Sequence, residues 1–158
     1  MEHEQTILNR DQIQEIIPHR EPFLFVDRIV EVEYGKRAVG ILDSMADTHH
    51  RFWLQGHFPD FPVIPGAILL EALAEVGAVA LLGLPQHRGK VAMLIGADNW
   101  RFRHTAEPGR HIRLEADLKR MRDRFGKGHV RAVLGDLVLA EGDLSFAIID
   151  KPSEISPT

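Results

Sequence analysis

The sequence predicts an α+β fold in which an antiparallel sheet of about six strands wraps around one long buried helix. Three observations lead to this prediction. The chain has 158 residues, the size of one domain that can bury a large core. Residues 67–82 form a helix-length segment that is apolar on every side. Segments typical of strands flank it, and short turns join most of them, which favours antiparallel pairing.

The first elements are short. A helix is expected from Asp11 to Ile17, because Pro18 ends it. Two strands follow, over Leu24–Glu33 and Arg37–Leu42, joined by a tight turn at 34–36. A loop rich in histidine, phenylalanine and proline then runs from residue 44 to residue 64.

The central helix is expected to begin near Pro65 and to end near Gly83. Proline suits the first turn of a helix, and a glycine followed by Pro85 suits its end. A membrane span is the alternative, but about 16 residues with two glutamates are too few and too charged for one. The segment is therefore predicted to be a core helix, buried on all sides.

Four more strands complete the predicted sheet, at Val91–Arg103, Ile112–Arg122, His129–Leu134 and Leu137–Ile149. Turn signals separate them at 107–109, 126–128 and 135–136. Residues 1–150 are thus expected to form a single domain, and residues 151–158 a disordered tail.

Composition and charge exclude several classes of protein. A hydrophobic content of 44% and a charged content of 27% are those of an ordinary globular protein. The net charge of −4 provides no field that would attract nucleic acid or an anionic membrane. The absence of cysteine excludes disulfides and Cys-ligated zinc and suits a cytoplasmic location. The polar, acidic first residues are unlike a secretory signal, so a cytoplasmic protein is expected.

Candidate catalytic groups concentrate in "GHFPDFPVIPGAILLE", residues 56–71. Three prolines stiffen the loop around His57, which suits a general base that must be held within about 3 Å of a substrate proton. The helix start at Gly66 offers unpaired N–H groups and a backbone that a ligand can approach. Glu71 and Glu75 share one helix face, where burial and like charge should resist ionisation, as a general acid requires.

Each of these residues also has an ordinary structural explanation. A single histidine is most often a packing or surface residue. The two glutamates could pair with arginines or face a solvent gap, since structural ion pairs also perturb carboxylates.

The same window resembles the signature of the (3R)-hydroxyacyl-[acyl-carrier-protein] dehydratases of bacterial fatty-acid synthesis, a family with the hot-dog fold. The resemblance continues in "IPHREPFLFVDRI" at 17–29, "IGADNWRFRHTAEPG" at 95–109 and "EGDLSFAI" at 141–148. It covers about residues 11–150 and implies a single hot-dog dehydratase domain. The implied reaction removes water from a 3-hydroxyacyl thioester on acyl carrier protein and leaves the trans-2-enoyl thioester.

The resemblance also implies roles for individual residues. His57 would take the C2 proton, Glu71 would protonate the departing C3 hydroxyl, and the Gly66 N–H would hold the thioester carbonyl. No metal or organic cofactor is implied. The active site would be shared between the subunits of a homodimer, which can assemble further into a trimer of dimers. The residues expected to line the mouth of the acyl tunnel are Phe58, Ile64 and Ala67.

Two features depart from the family pattern. Glu75 stands where the family usually has glutamine, and "THHRFW" at 48–53 replaces a more acidic segment. His49, His50 and Trp53 either reshape the loop at the tunnel or form a surface loop with one packed tryptophan. Together with His57, these histidines lack the spacing of a metal site.

An acidic carrier protein would need a local basic patch on this acidic chain. The candidates lie on a predicted hairpin and a nearby strand: Arg101, Arg103, Lys119, Arg120 and Arg122. A solvated hairpin is the alternative explanation. Nucleic-acid binding is disfavoured because exposed aromatic residues do not alternate with these charges.

Three other functions stay open. A dehydratase could also isomerise its product. A hot-dog thioesterase is disfavoured by the His-Phe-Pro loop, and a non-catalytic acyl-binding protein by the presence of both His57 and Glu71.

Overall fold

A computed structural model of the protein describes residues 4–44, 52–54 and 56–152. Its helices are α1 (Arg10–Ile16) and α2 (Gly66–Leu82), and short 3-10 turns cover Phe52–Leu54 and Pro85–His87. The strands are β1 (Arg28–Glu33), β2 (Arg37–Asp43), β3 (Val91–Phe102), β4 (His111–Arg122), β5 (Phe125–Leu134) and β6 (Leu137–Ile149). The predicted α+β class, with six strands and one long helix, is confirmed.

The strands form one sheet in the order β1-β2-β4-β5-β6-β3, and every neighbouring pair is antiparallel. Helix α2 contacts all six strands. Strand β3 lies at one edge of the sheet and pairs with β6. Its other edge therefore presents backbone groups that no described strand binds.

Helix α2 is the centre of the core. Every residue from Ala72 to Leu82 is buried, and Glu75 is the one charged residue in that stretch. At the start of the helix, Ala67 is exposed and Glu71, one turn later, is partly exposed. Among the described helices, none is long and apolar enough to cross a membrane. The prediction of a core helix is confirmed.

Strand β1 begins at Arg28, so the prediction that it would begin at Leu24 was wrong. The reason is a contact distant in sequence. The N–H groups of Phe25 and Val26 donate to the side chain of Glu75, at 2.7 and 3.2 Å, and not to a neighbouring strand. This short segment therefore runs past α2 as an extended connection.

Strand β5 begins at Phe125, so the turn predicted at 126–128 was also wrong. The chain reverses instead at Asp123 and Arg124. Gly128 lies within the strand, where a Cβ atom would come within 2.8 Å of the carbonyl oxygen of Asp117 on β4. Glycine is present here because two strands approach closely and not because the backbone turns.

The remaining predictions agree with the structure to within about two residues, the usual uncertainty of element ends. A capping box between Asn9 and Gln12 starts α1 one residue earlier than predicted. Trp53 is packed, with its ring 6.4 Å from that of Phe25. His49, His50 and tail residues 153–158 lie outside the described residues.

Candidate active site

His57 lies in the loop that precedes α2. Its Nδ1 is 3.0 Å from the carbonyl oxygen of Val63. The Val63 N–H in turn donates to the carbonyl oxygen of His57, at 2.9 Å. Because a carbonyl can only accept, Nδ1 carries the hydrogen in this contact and the neutral ring keeps a lone pair on Nε2. The imidazole is thus held in the tautomer in which Nε2 is a base.

Gly66 is the first residue of α2, and Pro65 precedes it as the N-cap. The first N–H groups of a helix have no acceptor within the helix, so they are available to a ligand. A Cβ atom on Gly66 would come within 2.7 Å of the ring of Phe102, at the end of β3. The absence of a side chain at this position therefore lets an aromatic ring lie directly on the start of the helix.

Glu71 lies one turn before Glu75 on α2, and its side chain is 22% exposed. The Nε2 atom of His19 lies 3.2 Å from its Oε1. The other ring nitrogen of His19, Nδ1, is buried and has no hydrogen-bond partner among the described residues. The carboxyl group thus meets a histidine from the segment after α1 and is partly exposed, whereas the structural explanation offered arginine partners or a solvent gap.

Glu75 is fully buried. Its Oε1 accepts the N–H groups of Phe25 and Val26, whereas its Oε2 has no hydrogen-bond partner in the described part of the chain. Burial raises the pKa of Glu75 well above its usual range, and the neighbouring carboxyl group of Glu71 adds to this rise. The two backbone N–H groups act in the opposite direction but are outweighed.

His19, Glu71 and Glu75 form a group in which one ligand-type atom of each lies within 4.8 Å of the others. This spacing could admit a metal ion as well as a proton. His19 had no role in the sequence prediction, although it lies in the 17–29 segment that carries the resemblance. The contact could not be predicted from the sequence, because His19 and Glu71 are 52 positions apart.

A cavity of about 320 Å³ opens beside Glu71. It is mainly apolar, as expected of a site for an acyl chain. The residues that line it are Pro18, His19, Glu71, Ala74, Ala78, Val91, Ala92, Met93, Leu94 and Phe146. His57 is not among them. This cavity therefore does not bring the predicted acid and the predicted base together.

The three residues predicted at the tunnel mouth differ in burial. Phe58 is half exposed and stacks on His57, with ring centroids 4.3 Å apart. Ala67 is exposed. Ile64 belongs to the hydrophobic core, and its N–H donates to the carbonyl oxygen of Ala106 at 2.9 Å.

The five predicted basic residues do not form one continuous patch. Arg120 and Arg122 line a cavity of about 250 Å³ together with Lys127, and Lys119 is exposed next to them. Arg103 instead binds Glu141 at 2.7 Å. Arg101 lies opposite Glu141 across the β3–β6 pair.

The exposed side chains in the first half of β3 are apolar. Met93, Leu94 and Ile95 are 48%, 39% and 57% exposed. Two of them, Met93 and Leu94, also line the cavity beside Glu71. An unpaired edge strand with exposed apolar side chains is a surface that another chain can cover.

Comparisons with known proteins agree on one family. Residues 17–143 match the family model described as a FabA-like domain. The 3-hydroxyacyl-[acyl-carrier-protein] dehydratase FabZ of Bacillus thuringiensis (strain Al Hakam) is 48% identical over 145 residues, 92% of this chain and 99% of that protein. The FabZ of Bacillus anthracis (strain CDC 684 / NRRL 3495) is 46% identical over the same length, with the same coverage.

Solved structures show the same fold at lower sequence identity. The dehydratase heterocomplex ApeI:P from Xenorhabdus doucetiae aligns with a TM-score of 0.74 at 17% identity, over 88% of this chain and 91% of that chain. Cj0977, a sigma28-regulated virulence protein from Campylobacter jejuni, aligns with a TM-score of 0.64 at 18% identity, over 88% and 96%.

Proposed function

This chain belongs to the FabA-like domain family and is a 3-hydroxyacyl-[acyl-carrier-protein] dehydratase of fatty-acid synthesis with the hot-dog fold, and we propose that His57 and Glu71 are its catalytic base and acid. One observation carries this proposal. The contact of His57 Nδ1 with the Val63 carbonyl selects the neutral tautomer in which Nε2 is the base, and Glu71 lines an apolar cavity. One group is prepared to accept a proton and the other to deliver one.

The reaction then follows from these two groups. His57 Nε2 takes the proton from C2, and the electron pair of that bond forms the C2–C3 double bond. The C3–O bond breaks, and the leaving hydroxyl takes the proton of Glu71 and departs as water. Negative charge develops on the thioester oxygen during this step. The N–H of Gly66, at the positive end of α2, stabilises that charge.

We also propose that the site is completed by a second copy of the chain in a homodimer, and that dimers can assemble into a trimer of dimers. His57 is absent from the cavity that Glu71 lines, and this cavity opens at the unpaired β3 edge. A second copy that covers this edge would bury Met93, Leu94 and Ile95. It would also bring its own His57 to the cavity.

Acyl carrier protein binds, in this proposal, at the cavity lined by Arg120, Arg122 and Lys127, with Lys119 beside it. Arg120 and Lys127 lie directly opposite each other on β4 and β5, so an acidic partner would relieve their mutual repulsion. Arg103 is less suited to this role because Glu141 already binds it. Residues 1–150 form a single domain in this proposal, and the protein acts in the cytoplasm.

The experiment that tests the shared site combines two inactive variants. His57→Ala and Glu71→Gln should each lose about 10²- to 10⁴-fold in the dehydration of carrier-bound 3-hydroxyacyl substrate. Unfolded, mixed and refolded together, they should recover about a quarter of wild-type activity, because half the dimers are mixed and each mixed dimer has one intact site of two.

The controls separate the site from general damage. His87→Ala removes another histidine whose Nδ1 faces a carbonyl, that of Leu81, and should stay active. Differently tagged variants prove that mixing occurred. A demonstrably mixed oligomer without activity would exclude the shared site, and full activity of Glu71→Gln alone would exclude Glu71 as the acid. Product analysis for thioester cleavage and for the isomerised enoyl product distinguishes the other candidate activities.

A further inference from the structure

Glu75 occupies a site that suits a neutral group better than a charged one. It is fully buried, and its Oε1 accepts two backbone N–H groups, those of Phe25 and Val26. Its Oε2 has no partner in the described part of the chain. An ionised carboxylate would bury an unmatched negative oxygen here, whereas a protonated one places an O–H donor at Oε2.

The acceptor available to that donor is Glu71. The two residues are one helical turn apart on α2, and their carboxyl oxygens belong to the group that lies within 4.8 Å. On its other side, Glu71 meets Nε2 of His19 at 3.2 Å. With Glu71 protonated, a donor from each side to its carbonyl oxygen would fix the rotation of the carboxyl group and leave its O–H to donate to the substrate. Such fixation matters because a proton donor works only when it is aimed at the leaving oxygen.

We propose that Glu75 is a positioning residue, a neutral carboxylic acid whose Oε2–H donates to Glu71 and, with His19, holds it in the orientation from which it protonates the substrate hydroxyl. A neutral acid has the same pattern as an amide, with one oxygen that accepts and a neighbouring atom that donates. Burial raises the pKa of Glu75 in the direction this role requires. The inference rests on the proposed role of Glu71.

The charged groups around Glu75 are consistent with this assignment. Among the described residues, the titratable groups close to it are Glu71, on its own helix, and His19, from the segment after α1. Asp27, at the end of the segment that packs on Glu75, binds Arg10 and the N–H of Asp43. On β4, the buried Glu115 binds arginines of β2 and β5. Both carboxylates are acidic groups that already have their own partners, so neither favours ionisation of Glu75.

The test compares three variants in steady-state dehydration across a range of pH. Glu75→Met keeps the length of the side chain but removes both polar atoms, and should lower kcat by about ten- to a hundredfold through misorientation of Glu71. Glu75→Gln restores the donor and the acceptor, and should recover activity to within about twofold of wild type with the same pH dependence. Glu71→Gln should be inactive throughout.

These outcomes separate the inference from the proposed function. Glu71→Gln that keeps full activity would overturn the role of Glu71 itself. If Glu71→Gln is inactive but Glu75→Met is as active as Glu75→Gln, only the positioning role of Glu75 is overturned. Inactive Glu75→Gln would mean that the charge or the proton of Glu75 is used directly, and would overturn it as well.

Two further measurements do not depend on how well Glu75→Met folds. Infrared difference spectra of wild type and Glu75→Gln at neutral pH should show the C=O band of a protonated carboxyl group. Carboxylate bands in its place would overturn the proposal. Activity should also survive removal of divalent cations with EDTA. A loss that added Zn²⁺ restores would mean that a metal ion, and not a proton, joins the two carboxyl groups.

Discussion

If the buried Glu75 keeps its proton, the stability of this protein should fall as the pH rises, and Glu75→Gln should remove that dependence. Burial raises the pKa of Glu75 well above the usual 4.5, so the folded chain keeps this proton in a range where the unfolded chain has lost it. Raising the pH above the usual value therefore favours the unfolded state. The loss of stability continues until the pH passes the raised pKa of the folded state.

The magnitude follows from proton linkage. One proton held only by the folded state changes the free energy of unfolding by about 1.4 kcal/mol per pH unit. Glu75→Gln keeps an oxygen for the N–H groups of Phe25 and Val26 and cannot ionise. The free energy of unfolding of Glu75→Gln, relative to that of wild type, should therefore increase by up to about 1.4 kcal/mol per pH unit as the pH rises. In a chain of this size, each kcal/mol corresponds to roughly 2–4 °C in Tm.

Urea unfolding measures this difference. Both proteins are unfolded at the same protein concentration, at a series of pH values from about pH 5 to about pH 8. Glu141→Gln is the matched control, because Arg103 lowers the pKa of Glu141. The stability that Glu141 contributes is present above its usual pKa and is lost only as the pH falls through the lowered value. Its difference from wild type should therefore stay constant over these steps. A constant or shrinking advantage of Glu75→Gln would show that folded Glu75 is ionised, and would refute the reasoning.

Three other predictions concern the surfaces and the packing. Neutralising Lys119, Arg120 and Arg122 together should weaken turnover of carrier-bound substrate, most at low salt, and spare a small pantetheine thioester; equal loss on both would refute carrier docking there. Ile95→Lys should give monomers in light scattering, whereas Leu137→Lys should not, because Leu137 is similarly exposed but lies at the opposite end of the β3–β6 pair from Ile95; an intact Ile95→Lys dimer would place the interface elsewhere. Gly83→Ala puts a Cβ atom 2.0 Å from the ring of Tyr34 and should cost about 1–3 kcal/mol in urea unfolding, whereas Gly56→Ala meets nothing within 4 Å and should stay within about 0.5 kcal/mol; equal effects would refute the packing argument.

Most of the fold could be predicted because its signals are local. Apolar composition alone identifies α2, and Gly135-Asp136 marks the turn between β5 and β6. The errors in the strand and turn predictions arose where a residue makes a contact with a residue that is distant in sequence. Gly128 allows the approach of β4, and the segment before Arg28 is not a strand because Glu75, 50 positions beyond Phe25, binds its N–H groups. No local pattern reports such contacts.

The candidate site shows the same limit more sharply. His57, Gly66 and Glu71 lie within 16 residues, and that short window suggests one site in one chain. In the folded chain, the Val63 carbonyl holds His57 in the loop, whereas Glu71 faces a cavity with His19, and His57 does not line that cavity. Closeness in sequence therefore reflects a loop that runs directly into a helix, and it does not by itself place the side chains around one cavity.

In the proposed dimer, the β3 edge of the sheet completes the site. The cavity beside Glu71 and the exposed side chains of β3 share Met93 and Leu94. The same surface that would bury apolar area on dimerisation would therefore also enclose the acid. Loss of the dimer should then remove the base from each site before the fold of a single chain is lost. An Ile95→Lys protein that is monomeric, folded and still fully active would contradict this coupling.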